Sequence, residues 1–312
     1  MRARHHPDQQ QPPMSSSSKL FQSTRIGDIL AHRVVFAPVT RFRGDDKHAP
    51  LPHVAEYCEP RPSVPGTLLI TEATDAQIAE WKEVTARVHA KGFVIFLQLH
   101  ALGRAAELDV LAKDGLPYVS ASNEMGQYLD LYATAASNAV DRARFDGVKI
   151  HAANGYLLDQ FLHESSNTRT DEYGGASVEH AVSVGGGSGG RARGWRKEDW
   201  VPPGVDMAIP DPKPTYAYLV TQLRERFPDL AYLHVVEPRA DGDDSASSAT
   251  FKAHHSNDFV RAIWGQRPRP LIDGGGGGEP QRVVCVWAMI QPDLPYRLEH
   301  DIPLNKGARA FY

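Results

Sequence analysis

The chain has 312 residues, 41% of them hydrophobic and 23% charged, with a formal net charge of -4. That is enough apolar material for a full core, which excludes disorder throughout. The weakly acidic balance argues against nucleic acid or an anionic membrane held by bulk charge, and the length admits two domains of about 150 residues or one α/β barrel of about 250.

Residues 1–18 are His, Gln, Pro and Ser with little to bury, and are expected to form a disordered tail. They hold no apolar segment of the secretory type, and no apolar run in the chain nears the roughly 18 residues of a membrane span. Cys58 and Cys285 lack metal spacing and fit a reducing compartment. A cytoplasmic location with no membrane partner is the resulting expectation.

From Leu20 onward, short apolar runs alternate with amphipathic stretches, which predicts βα units and a parallel sheet. Strands are expected at 34–37, 67–70, 93–99, 147–151, 232–236, 270–272 and 283–287. Helices are expected at 54–59, 75–90, 126–144, 215–226 and 257–264. In the second helix Asp75 is a candidate N-cap, Ile78, Trp81, Val84 and Val88 recur at helical spacing, and Gly92 follows as a terminator. FVIFLQL after it is a continuous apolar run, as expected of a strand buried on both faces.

Seven strands can be read where a (β/α)8 barrel needs eight. The gap falls on VSVGGGSGGRARGWRKEDWVPPG, which offers no convincing strand. A second oddity is LIDGGGGGEPQRVVCVW, where too few residues join two parallel strands for a crossover helix of the usual kind. Ten of the 26 glycines of the chain lie in these two places, five within 185–190 and five at 274–278. The expected architecture is therefore an α/β (β/α)8 barrel over 19–312, incomplete or distorted around strand five and helix seven.

Catalytic groups of such barrels sit at the C-terminal ends of the strands. Those ends carry Pro38 and Thr40, then Thr71, Glu72 and Ala73, then Gln98 and His100, then His151 with Asn154 and Tyr156. Any one of them could be a polar loop start, and His151 a satisfied core histidine. Grouped in HAANGY, however, His151 and Asn154 offer two donors for one carbonyl or phenolate oxygen, and Tyr156 offers a phenol proton.

The segment HAANGYLLDQFLHESSNTRTDEYGG resembles the signature of the old yellow enzyme family, the FMN-dependent ene-reductases. LFQSTRIGDILAHRVVFAPVTRFR, GTLLITEAT, HAKGFVIFLQLHALGR, AYLHVVEPR and QPDLPYRLEHDIPLNKGARAFY resemble further blocks of that family in the same order. The resemblance is strongest to fungal members and covers about two-thirds of the chain. It implies a barrel with FMN over the strand C-termini and NADPH as reductant. Pro38, Thr40, Ala73 and Gln98 match positions that contact the flavin ring, and His151 also lies against it. His151 and Asn154 match the pair that binds the substrate oxygen, Tyr156 the proton donor, and Tyr312 an aromatic residue of the substrate pocket. The implied reaction reduces the activated C=C bond of an enone, enal or quinone-like small molecule.

Several family features are missing. His100 stands where many relatives have Trp, so it is read as a substrate-pocket residue that changes the pocket's shape and polarity. Segments after Thr74 and near Asn123 are shortened. No counterpart to the family's strand-five arginine is found near Arg191, Arg193 and Arg196. Cys285 and Val286 occupy the place of a Gly-Arg pair that binds the FMN phosphate, whereas Gly275 and Gly276 retain the strand-seven glycines as candidate phosphate contacts. These departures support an alternative, a degenerate member with lost or weak FMN binding. The glycine tracts fit neither a dinucleotide fingerprint nor a P-loop, paired histidines such as His254 and His255 lack metal-ligand spacing, and the short basic run RARGWRK reads as solvated surface. No metal and no nucleic acid are expected.

Overall fold

The computed structural model describes residues 19–26, 28–30, 32–38, 50–51, 53–59, 61, 63–72, 78–121, 125–163, 165–171, 173–174, 195–198, 213–236, 257–265, 271–274, 283–286 and 293–303. A short antiparallel hairpin comes first: β1 (Thr24–Ile26) pairs with β2 (Asp28–Leu30), Thr24 opposite Leu30. Eight parallel strands follow: β3 (Val34–Phe36), β4 (Leu68–Glu72), β5 (Val94–Leu99), β6 (Gly147–His151), β7 (Trp195–Glu198), β8 (Leu233–Val236), β9 (Leu271–Gly274) and β10 (Val283–Val286). Each pairs with the next, and β10 returns to β3 with Cys285 opposite Val35, so the sheet closes into a barrel.

This corrects the expected gap at the fifth barrel strand. β7 fills it with Trp-Arg-Lys-Glu, pairing Trp195 with Ile150 on one side and Trp195 through Glu198 with Leu233 through Val236 on the other. Main-chain bonds to two neighbours make the strand. Its residues show no apolar alternation, so the periodicity signal was silent there. The short seventh crossover is real: residues 275–282 alone join β9 to β10, below the roughly 10–12 residues a crossover helix needs.

The helices are α1 (His53–Cys58), α2 (Ile78–Ala90), α3 (Leu108–Asp114), α4 (Met125–Ser137), α5 (Leu157–Gln160), α6 (Lys213–Arg226), α7 (Asp258–Trp264) and α8 (Leu294–Glu299). A π turn, Asn138–Arg142, extends α4. α2 shows how the outer layer forms. Trp81, Val84, Thr85 and Val88 are its buried stripe, and Trp81 meets Phe145 with ring centroids 5.7 Å apart. Each large apolar side chain so buried contributes about 1.5–3 kcal/mol. The helix stops as expected: Gly92 N–H bonds to His89 O and Phe93 N–H to Val88 O. Its proposed N-cap, Asp75, lies outside the described residues, as does the 1–18 tail.

A second, smaller core fills the barrel. Ile26 and Leu30 from the hairpin join Val35, Leu68, Ile70, Phe96, Ala231 and Tyr232, so the hairpin plugs the end where the strands begin. His32 locks that end. Its Nδ1 accepts from Val34 N–H (3.1 Å), leaving Nε2–H to donate to Thr67 Oγ1 (2.7 Å), and the Thr67 hydroxyl donates to Val64 O (2.5 Å). Burial lowers the His32 pKa to about 4, keeping the ring neutral. With one end plugged, function is left to the other.

Candidate active site at the barrel mouth

Side chains at alternate strand positions face the barrel interior. Glu72, Gln98 and Lys149 are in register on three adjacent strands. Gln98 Nε2 donates to Glu72 Oε1 (2.7 Å), and Lys149 Nζ donates to Gln98 Oε1 (2.5 Å). Gln98 and Lys149 are fully buried. A carboxylate on one side and an ammonium on the other thus fix which way the amide points. One N–H and one lone pair of that amide remain for a ligand. Pro38, two residues past β3, is also buried.

Two residues further along the same strands come His100 and His151, and Tyr156 joins them. The His151 and Tyr156 rings meet edge-on with centroids 5.1 Å apart, His100 lies 5.6 Å from Tyr156, and His100 and His151 are 6.2 Å apart. His151 is buried, while His100 and Tyr156 are half-buried. The Nδ1 of His100 is buried and has no hydrogen-bond partner among the described residues. Three rings with exchangeable protons therefore share one spot at the mouth.

The loop after β6 is a tight turn. Tyr156 N–H donates to Ala153 O (3.3 Å), and the two residues between, Asn154 and Gly155, have φ of 59° and 73°. Both central residues of such a turn need left-handed backbone, and Asn-Gly is the pair that adopts it at least cost. The turn puts Asn154 between the histidine that ends β6 and the tyrosine that precedes α5.

The structure thus brings Pro38, Gln98, His100, His151, Asn154 and Tyr156 to one end of the barrel, as the strand-end reading expected. Thr40, Ala73, Gly275, Gly276 and Tyr312 lie outside the described residues. Lys149 was missed. Its signal was a charge in GVKIH two residues before His151, a spacing that puts both on the inner face. Asp159 and Gln160 were also missed, because they carry no motif chemistry of their own. No group of three or more metal-ligating side chains occurs among the described residues.

The fold is a closed parallel barrel, with the His100, His151 and Tyr156 rings together at its C-terminal mouth. The chain belongs to the NADH:flavin oxidoreductase / NADH oxidase family, the family of the old yellow enzymes, whose model matches residues 19–181. Chanoclavine-I aldehyde reductase fgaOx3 of Penicillium roqueforti is 38% identical, covering 95% of this chain and 93% of its own. Probable inactive reductase easA of Epichloe festucae var. lolii is 36% identical, covering 95% and 92%. That alignment spans 354 positions, more than the 312 residues here, so the relative has segments without a counterpart in this chain. Among solved structures, Old Yellow Enzyme from Pichia sp. AKU4542 superposes with a TM-score of 0.77 at 27% identity, covering 95% of this chain and 91% of that one. The flavin of the family is FMN, and the cofactor expectation stands with it. No helix among the described residues is long and apolar enough to cross a membrane.

Proposed function

We propose that the chain is an FMN-dependent reductase that uses NADPH to reduce the activated C=C bond of an α,β-unsaturated carbonyl compound, with residues 19–312 forming one FMN-binding barrel. The observation that carries this reading is the contact of His100, His151 and Tyr156 at the open end of a plugged barrel.

The described residues suit a flavin by their donor chemistry. Gln98, held by Glu72 and Lys149, presents one N–H and one lone pair, the complement of an imide edge. Pro38 and His151 supply buried surface beside it. FMN, when bound, relays a hydride from NADPH to the substrate's β-carbon. The protein's part is polar and positional. His151 and Asn154 donate to the carbonyl oxygen and stabilise the negative charge that develops there. The Tyr156 hydroxyl gives its proton to the α-carbon and is restored from solvent. The C=C bond becomes a single bond, gaining a hydride and a proton, and NADPH becomes NADP+.

Cys285 and Val286 favour a second reading, a chain with lost or weak FMN affinity. They lie on β10, where the resemblance calls for a Gly-Arg phosphate clamp, and neutral residues do not replace a charge-assisted contact. One preparation separates the readings. Purified full-length chain should be yellow, should bleach with NADPH under anaerobic conditions, and should recover colour on adding an enone. A colourless protein that FMN cannot reconstitute removes the first reading and leaves the second.

A further inference from the structure

We infer that Asp159 and Gln160 are positioning residues: a two-residue clamp on α5 that sets the Asn154–Tyr156 turn against the loop that follows His100. The inference rests on the reductase reading for its catalytic consequence, and on hydrogen bonds alone for its geometry.

Asp159 is buried and faces three donors. Its Oδ2 accepts from Gly155 N–H (2.9 Å), and its Oδ1 accepts from the Tyr216 hydroxyl (2.8 Å) and lies 3.3 Å from His163 Nε2. The carboxylate thus anchors the left-handed turn to α6 behind it. A buried main-chain N–H needs an acceptor, so the turn depends on this oxygen.

Gln160 works on the other side. It is fully buried. Its Nε2 donates to Gly155 O (2.7 Å) and to Leu102 O (3.0 Å), and its Oε1 accepts from Arg104 N–H (3.1 Å). One amide therefore bridges the loop after β6 and the loop after β5. Leu157 N–H to Ala101 O (2.9 Å) adds a further tie to the loop after β5. The fit is close: a Cβ on Gly103 would lie 2.4 Å from Gln160 Oε1, and Gly103 has a φ of 60°. The residues joined are those next to His100 on one loop and to Asn154 and Tyr156 on the other. The clamp sets how far Asn154 and Tyr156 stand from His100.

The test uses the full chain. In wild-type protein, the Gly155 and Arg104 amides should resist hydrogen exchange despite lying in loops, with or without FMN. Exchange at open-loop rates would overturn the clamp, whatever the fate of the flavin reading. In D159L, which has no acceptor, the Gly155 amide should lose protection, and oxidation of the reduced flavin by an enone should slow roughly tenfold or more, while reduction by NADPH stays within about twofold. Q160M should show the same split. A general loss of packing would slow both half-reactions together and so defeat the proposal. Full protection of Gly155 in D159L would defeat it too. If D159L and Q160M fail to fold, the wild-type exchange measurement decides. Colourless protein defeats the flavin reading alone.

Discussion

The two halves of the barrel solve different problems. From β3 to β6, inward positions carry a linked polar row, Glu72, Gln98 and Lys149, topped by three contacting rings. From β7 to β10, β7 is built on Trp-Arg-Lys-Glu and the last crossover spans only residues 275–282. The first half holds the linked polar side chains and the ring cluster. The second contributes main-chain pairing that closes the ring. A barrel can thus keep its architecture where its sequence pattern has faded, because hydrogen bonds to two neighbours do not depend on side-chain identity.

The sharpest way to break this contrast is at Tyr156. Y156F should cut the rate of enone reduction by about 10²–10⁴-fold, with flavin reduction by NADPH preserved, measured by stopped-flow of each half-reaction. If the chemistry lies elsewhere, the rate will hold.

Next come two buried tryptophans, one per half, Trp81 on α2 and Trp264 on α7. Trp81→Ala and Trp264→Ala should each cost about 3–5 kcal/mol in denaturant titrations. Both should shift one common transition if the halves unfold together. Two separated transitions would show that closure is weaker than the topology implies.

His32 tests the plugged end. Its folded pKa is about 4 against 6.5 for the free side chain, so between those values the unfolded chain binds more protons. Stability present above pH 6.5 should therefore be lost as pH falls toward 4, by up to about 3 kcal/mol. Urea midpoints of wild type and His32→Gln across that range give the measurement, and the variant should lose most of this slope.

The smallest effect would sharpen the contrast by repair. Replacing Cys285 and Val286 with Gly and Arg should tighten FMN binding roughly tenfold if the second half lacks only the phosphate clamp, since a charge-assisted bond is worth about 1.5–3 kcal/mol. Fluorescence titration of the apoprotein with FMN would read this. No change would mean that the crossover itself, not the missing arginine, limits affinity.

What the sequence revealed follows the same division. β5 and α2 were legible because burial on both faces, or on one stripe, imposes an apolar pattern. The placing of His151, Asn154 and Tyr156 together was legible because HAANGY begins on the last residue of a strand. β7 was not, since Trp-Arg-Lys-Glu has no period to detect. Lys149 was passed over because a charged residue in a strand is usually read as solvent-facing, whereas here Gln98 accepts its ammonium hydrogen inside the barrel. The clamp was hidden for another reason: Asp159 and Gln160 act on main-chain atoms of distant loops, and such contacts leave no trace in residue spacing.

The plug of β1 and β2 has a consequence for how the molecule is made. Ile26 and Leu30 share their apolar cluster with Tyr232, which leaves the ribosome after most of the chain. Val35, Leu68, Ile70 and Phe96 cover part of the hairpin's apolar face early, but the cluster is complete only once Tyr232, just before β8, has been made. Contacts so distant in sequence form slowly and leave sticky surface open meanwhile. The nascent chain should depend on holdase protection until β8 emerges, and truncations ending before Tyr232 should accumulate as aggregates.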